Sequence, residues 1–296
     1  MSKFSNKNNL KEGDSIQEIT QESKYYPKRL LQIKQAPKKI YAQGNIDLLN
    51  KNSIAIVGAR KCSKYGAKYS AKFAKELAKA DICIISGLAN GIDAIAHTYS
   101  KSEIGKTIAV IGSGFNNIYP KENILLYKEI LEEGGCVISE CEPNQKADLS
   151  KFPLRNRIIS GIALGVLLIE ARYRSGSTVT ARYAFEQRKN VFCIPHNLDS
   201  KTGYGPNEYI KYGAKLVTNY EDILEEYNLF NKEEKIKVDN KYLQIYKCIN
   251  EIPHSINEIS RLSGKTIAEV NEALFMLEMD GMIKSLPGSE YIINLE

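Results

Sequence analysis

SIAIVG (53–58), ICIISG (82–87) and TIAVIG (107–112) are apolar almost from end to end, and each closes on a glycine. Four further runs follow at CVISE (136–140), GVLLIEA (165–171), NVFCIP (190–195) and KLVT (215–218). A strand with water on one face alternates polar and apolar residues. Strands this uniformly apolar are covered on both faces, which means a mostly parallel sheet. The segments between them read as helices. In the clearest, Tyr65, Tyr69, Phe73 and Leu77 recur at i+4, with Lys68, Lys72, Lys75 and Lys79 outside that stripe. The alternation predicts a doubly wound α/β domain over 51–227, with ligands bound outside the carboxyl ends of the strands.

On either side the composition changes. Residues 1 to about 15 are rich in Ser, Asn and Lys and read as a flexible tail; a short apolar lead-in then runs to 50, through Ile40, Tyr41 and Gly44. A charged, Asn-rich linker spans 228–240. Beyond it, 241–296 predicts a winged helix: helices near 242–250, 255–263 and 266–280, then a hairpin opened by Gly281. The third helix carries Glu269, Glu272, Glu278 and Asp280 and no basic residue, a poor surface for a DNA groove, with Ala268, Leu274, Met276 and Leu277 expected in its core. An interaction or regulatory role is expected for this unit.

A formal charge of +6 over 296 residues suits a nucleic-acid partner without proving one. The six cysteines are widely spaced and the three histidines form no ligand pattern, so neither a disulfide framework nor a metal site is expected. The polar N-terminus and the lack of a membrane-length apolar run predict a soluble, cytoplasmic protein with no membrane association.

Nearly every polar motif falls at a strand end. The first strand runs into Gly58-Ala59-Arg60, where glycine lets the backbone approach an anion; a turn glycine beside a surface arginine is the plainer reading. GxGxxG is missing, and the next strand ends in Ser86 rather than a ribose-binding acid, so this is not the dinucleotide fingerprint. That second strand opens SGLANGIDAIAH (86–97), in which Gly87 begins a tight turn. Asp93 reads as a helix-start acid and His97 as structural rather than catalytic. The third strand leads to Gly112-Ser113-Gly114, and the fifth to Ser175-Gly176-Ser177-Thr178, loops of small donors suited to an anion. Arg172, Arg174 and Arg182 outnumber Glu170 and Glu186 there.

FPLRNRIISG (152–161) places an aromatic ring (Phe152) and two guanidinium groups (Arg155, Arg157) around Asn156 at the start of an apolar helix. Rings stack on nucleobases, and arginine pairs with phosphate in a planar fork. Only nine of the 41 basic residues are arginine, and seven of them are Arg60 plus the six from Arg155 to Arg188. Lysine is scattered; arginine is concentrated. The loops, Arg60 and this segment together suggest a positive funnel with a stacking platform, which suits single strands rather than duplex grooves.

VGAR (57–60), SGLANGIDAIAH (86–97), GSGFNNIYPKEN (112–123), FPLRNRIISG (152–161), SGSTVTARYAFEQ (175–187) and GPNEYIKYGA (205–214) resemble the DNA-processing protein DprA (Smf) family over 20 to about 225. The resemblance implies an extended Rossmann fold that binds single-stranded DNA, forms a homodimer and helps load RecA recombinase during natural transformation, without cofactor or catalytic turnover. Carried over, Arg60 closes over DNA, Phe152 is the stacking ring, and Arg155, Asn156 and Arg157 contact phosphate and base. Lys151 and the 112–114 and 175–178 loops complete the pocket. Ala59 stands where relatives usually carry Ser, His196 where they carry Gly, and the N-terminal region is short for the helical domain of longer relatives. The rival expectation is a nucleotide N-glycoside hydrolase on a related fold, to which 175–178 is a loose match with Glu186 too distant to be its acid.

Overall fold

A computed structural model describes residues 15–148, 150–173, 175–229, 239 and 241–294; the expected tail, Leu149, Arg174 and most of the linker lie outside the described residues. The chain divides into two compact units, Met1–Asn228 and Leu229–Glu296.

All seven apolar runs form strands of one sheet in the first unit: β3 (Ser53–Val57), β4 (Cys83–Ser86), β5 (Thr107–Ile111), β6 (Cys136–Ser139), β7 (Gly165–Leu168), β8 (Asn190–Cys193) and β9 (Lys215–Leu216). The lead-in is part of the same sheet rather than a separate piece. It supplies β1 (Gln17–Thr20) and β2 (Lys39–Gly44), and β2 pairs antiparallel with β6. The order is β1-β2-β6-β5-β4-β3-β7-β8-β9, parallel from β6 to β9. Winding therefore runs outward both ways from β3 and β7, and the switch point, where such sheets open a crevice, lies between these two strands.

Helices α1 (Lys64–Lys79), α2 (Ile92–Ser100), α3 (Ile124–Glu132), α4 (Lys151–Ile162), α5 (Gly176–Glu186), α6 (Tyr204–Lys211) and α7 (Glu221–Glu226) make the connections. The stripe on α1 differs from the expected one. Tyr65 is 40% exposed, and the buried line is Gly66, Ser70, Phe73, Ala74, Leu77 and Ala78. Small residues lead because the fully buried Glu170 reaches the start of α1, accepting from the Ser63 amide at 2.9 Å and from its hydroxyl.

Helix α4 spans the sheet between β6 and β7, and cations close its far end. Lys189 Nζ donates to the carbonyls of Ser160, Gly161 and Ala163 at 2.7, 2.5 and 2.7 Å, and Arg29 Nε to that of Ile162 at 2.6 Å. These are the carbonyls a helix leaves unpaired, and positive charge there also suits the helix dipole.

The second unit contains α8 (Leu243–Tyr246), β10 (His254–Ser255), α9 (Ile256–Ser263), α10 (Ile267–Met279), β11 (Ile283–Leu286) and β12 (Glu290–Ile293). Capping boxes at Ser255 and Thr266 start α9 and α10, and Gly264 in the left-handed region ends α9. The winged helix is as expected, with two differences. Its first helix is short because the chain tightens to i+3 bonds at Cys248 and Ile249. On α10 the core positions are Val270, Ala273, Leu274 and Leu277, a 3–4 spacing that turns Ala268 and Met276 outward.

Lys189→Met removes the cap from α4 and is expected to lower unfolding free energy by about 1.5–3 kcal/mol, the range for hydrogen bonds to charged groups. A urea titration gives the shift in midpoint.

Candidate nucleic-acid interface

A cleft of about 590 Å³ opens at the switch point. Val57 to Lys61 enter it from the end of β3, Arg172 and Ser175 to Ser177 from the segment after β7, and Phe152, Arg155 and Asn156 from the first turns of α4. Asp93 comes from the first turn of α2 and Ala89 from the loop before it. The N-terminal ends of α2, α4 and α5 thus all contribute to one concavity, and each carries a partial positive charge. Pro153 is tolerated within α4 because a first-turn amide has no helical partner to lose.

Arginine serves two different purposes here. Arg60 and Arg172 are exposed, with no acidic partner among the described residues, and Lys61 adds a third exposed cation. Arg155 is buried and employed. Its Nη1 donates to the Gly87 carbonyl at 2.7 Å and to that of Val110, and its Nε donates to Asn156 Oδ1 at 3.2 Å. Burial lowers its pKa to about 10, with Asp93 as the main opposing influence. Asn156 in turn donates to the Gly176 carbonyl at 3.2 Å. Together these two side chains link the ends of β4 and β5, the start of α4 and the start of α5.

Asp93 faces this guanidinium. Among the described residues it is the one acid lining the cleft, and it is 7% exposed. It accepts from the Gly87 amide at 3.1 Å, fixing the preceding turn, a larger role than capping its own helix. Burial pushes its pKa up to about 6 against the opposing pull of Arg155. Gly87 has to be glycine: a Cβ there would lie 2.7 Å from both Arg155 Nη2 and Asp93 Oδ2. His97 is fully buried, and burial pushes it down to about 3, so it is neutral. The Thr107 hydroxyl donates to the Ile84 carbonyl at 2.7 Å, so His97 Nδ1–H donates to that hydroxyl at 2.8 Å and Nε2 accepts from the Leu88 amide at 3.4 Å. His97 is structural, as its sequence context suggests.

The sequence-predicted residues divide between the cleft and its surroundings. Gly58, Arg60, Phe152, Arg155, Asn156, Ser175, Gly176 and Ser177 line the cleft, and Gly87 lines a small adjoining pocket. Gly112 acts indirectly, since a Cβ there would come within 2.7 Å of the Phe152 ring. Ser113 is fully buried with its hydroxyl unpartnered, and Gly114 donates its amide to the Gln145 carbonyl at 2.8 Å. Arg157 forms a two-pronged ion pair with Glu140 at 2.7 and 2.9 Å and does not line the cleft. Lys151 is exposed beside it, and Thr178 Oγ1 bonds back to the Ser175 carbonyl at 2.6 Å. Lys61, Ala89 and Thr180 also line the cleft; the rule of strand carboxyl ends was enough to find Lys61, which follows Arg60. Glu186 is exposed and pairs with Arg182 at 3.5 Å, outside the cleft.

Residues 17–228 match the family model of DNA recombination-mediator protein A, and 233–289 match that of the DprA winged helix domain. The chain belongs to the DprA family. It is 35% identical to Protein Smf of Escherichia coli over 282 residues, covering 91% of this chain and 75% of that one. Against DNA processing protein DprA of Streptococcus pneumoniae it is 42% identical over 202 residues, covering 68% and 71%. The X-ray structure of the pneumococcal protein superposes with a TM-score of 0.68 at 40% identity, covering 73% of this chain and 75% of that one. A Helicobacter pylori DprA structure, reported for its single-stranded DNA binding mode, gives 0.65 at 29% identity, covering 73% and 97%.

Both departures from the DprA pattern are accommodated. The Ala59 carbonyl accepts the Ile92 amide at 3.2 Å. His196 stays outside the left-handed region, and Asn207 clamps its amide at 3.1 Å and its carbonyl at 3.0 Å. Among the described residues, no helix is long and apolar enough to cross a membrane, and no group of three His, Cys, Asp or Glu is placed to hold a metal ion.

With a folded pKa above its ordinary value, Asp93 retains its proton in the native state between about pH 4 and 6, so its ionisation costs stability as pH rises through that window. Asp93→Asn keeps an acceptor for the Gly87 amide but cannot titrate. On acidification from pH 7 to pH 5 the wild type is expected to gain about 1 kcal/mol relative to the variant, read from paired denaturation curves.

Proposed function

We propose that this protein is a single-stranded-DNA-binding recombination mediator that acts in the cytoplasm as a homodimer, protects incoming DNA and loads RecA recombinase onto it during natural transformation. The observation that carries the reading is the charge arrangement of the cleft. Exposed Arg60, Lys61 and Arg172 ring it, the ends of three helices contribute to it, and its single acid is buried against Arg155. Such a site attracts a phosphate backbone strongly and reads little sequence. Likeness to the Helicobacter pylori protein supports a single strand as the occupant.

In this reading Arg60 closes over phosphate from outside, and Gly58 together with the Ser175, Gly176 and Ser177 loop offers backbone and hydroxyl donors. Phe152 stacks on a base. Arg155 and Asn156 hold the floor and present what remains of their donors, while Lys151 meets the strand beyond the cleft. Thr178 steadies the 175–178 loop, Gly112 seats the ring, and Ser113, Gly114 and Arg157 support the walls. The winged helix, acidic along α10, is assigned to protein contact rather than to DNA.

Binding of a fluorescent thymine oligomer across a salt series tests this. Arg60→Ala is expected to weaken binding and to reduce the log–log salt slope by about 0.7–1, one phosphate contact. Phe152→Ala is expected to weaken binding with an unchanged slope, because stacking releases no counterion. Two variants that bind as tightly as wild type would remove the proposal.

A further inference from the structure

Beside the main cleft lies a second, smaller pocket lined by Arg60, Gly87, Ala89, Asn90, Tyr119, Pro120, Phe152 and Arg155. Arg60, Ala89, Phe152 and Arg155 border both concavities, so the two meet at the Phe152 side chain and its neighbours. The Tyr119 ring is 5.3 Å from the Phe152 ring, centroid to centroid, at an interplanar angle of 30°. It is 42% exposed. The splay between the rings leaves aromatic surface uncovered on the pocket side. Tyr119 lies in the GSGFNNIYPKEN stretch, which sequence reasoning valued for Gly112, Ser113 and Gly114.

We infer that Tyr119 is a second base-stacking residue, and that Phe152 is a wedge separating two consecutive bases of the bound strand, one in the main cleft and the next in the Tyr119 pocket. The inference rests on the single-strand reading of the main cleft. Its physical grounds are three. An exposed ring in a concavity is a stacking surface for any nucleobase, because every base has a π-face. Arg60, shared by the two concavities, lies where the phosphate joining two such bases would run, and arginine can pair with that phosphate bidentately. Third, the wedge is backed from one side: a Cβ at Gly112 would lie 2.7 Å from the Phe152 ring, so the ring rests against the residue that ends the third strand run.

The full chain is titrated against a thymine oligomer and against the same oligomer carrying adjacent 2-aminopurines, whose fluorescence rises when they unstack. Tyr119→Leu, which keeps bulk without a ring, is expected to weaken binding about five- to a hundredfold, the range for loss of one stacked base. Its salt slope should stay unchanged, and Tyr119→Phe should restore wild-type affinity. The wild type should unstack the 2-aminopurine pair, and Phe152→Leu should abolish that rise. If wild type binds and Phe152→Leu weakens it while Tyr119→Leu does not, the second subsite is wrong and the single-strand reading stands. Binding without any 2-aminopurine rise removes the wedge. A wild type that binds no oligomer removes the single-strand reading and this inference with it.

Discussion

The guanidinium of Arg155 is the joint on which the candidate site depends. It takes the carbonyls of Gly87 and Val110, at the ends of two neighbouring strands, and ties both to the first turns of α4. Buried carbonyls left unpaired are costly, and so is a buried cation without a counter-charge. Asp93 supplies the charge and holds the Gly87 amide, so both polar groups of that glycine are taken by the pair. Truncating either partner would strand the other in the interior. The loops around the cleft are held by this paired centre, with Glu170 doing the same for the start of α1.

Division of labour among the arginines follows from solvation. An arginine whose donors are spent on carbonyls has little left for phosphate, whereas an exposed one with no acidic partner releases counterions when it binds. Arg155 is of the first kind, Arg157 is taken by the Glu140 carboxylate, and Arg60 and Arg172 are of the second kind. Clustering of arginine in the sequence therefore has two physical causes mixed together. Some of it holds the scaffold by buried pairing with carbonyls and a carboxylate, and some of it faces outward.

That mixture marks the limit of what was legible beforehand. Seven strands could be read because uniformly apolar runs have one stable environment, between two helical layers. A cleft at the carboxyl ends of the strands followed, since nearly every polar motif sat at such an end; which two strands flank it came from the strand order. What the residues could not show was which side of a loop each donor takes. Ser113 and Gly114 belong to the same motif as Gly112, but one is buried with an unpartnered hydroxyl and another bonds to Gln145. Arg157 is two positions from Arg155, so on a helix it points elsewhere, and Glu140, which it meets, is distant in sequence. The α1 stripe misled for a similar reason. A buried Glu170 demanded small residues where aromatic spacing suggested a core.

The same fold commonly holds dinucleotides at this crevice, and the reasons to propose a polymer here instead are local. A dinucleotide site needs an acid after the second strand to hold a ribose, but β4 ends in Ser86, whose hydroxyl donates at 2.6 Å to the Ile56 carbonyl and is spent. It also needs a closed glycine loop over the diphosphate, where here Arg60 projects into solvent at the mouth. A closed ribose end and an open phosphate end fit the proposed strand better than a discrete dinucleotide. An aromatic residue at the start of α4 then has bases, rather than a nicotinamide or flavin, to meet. On this view Phe152 and Tyr119 set the spacing of bases, and the exposed cations set affinity, so the proposed strand would be gripped without regard to its sequence.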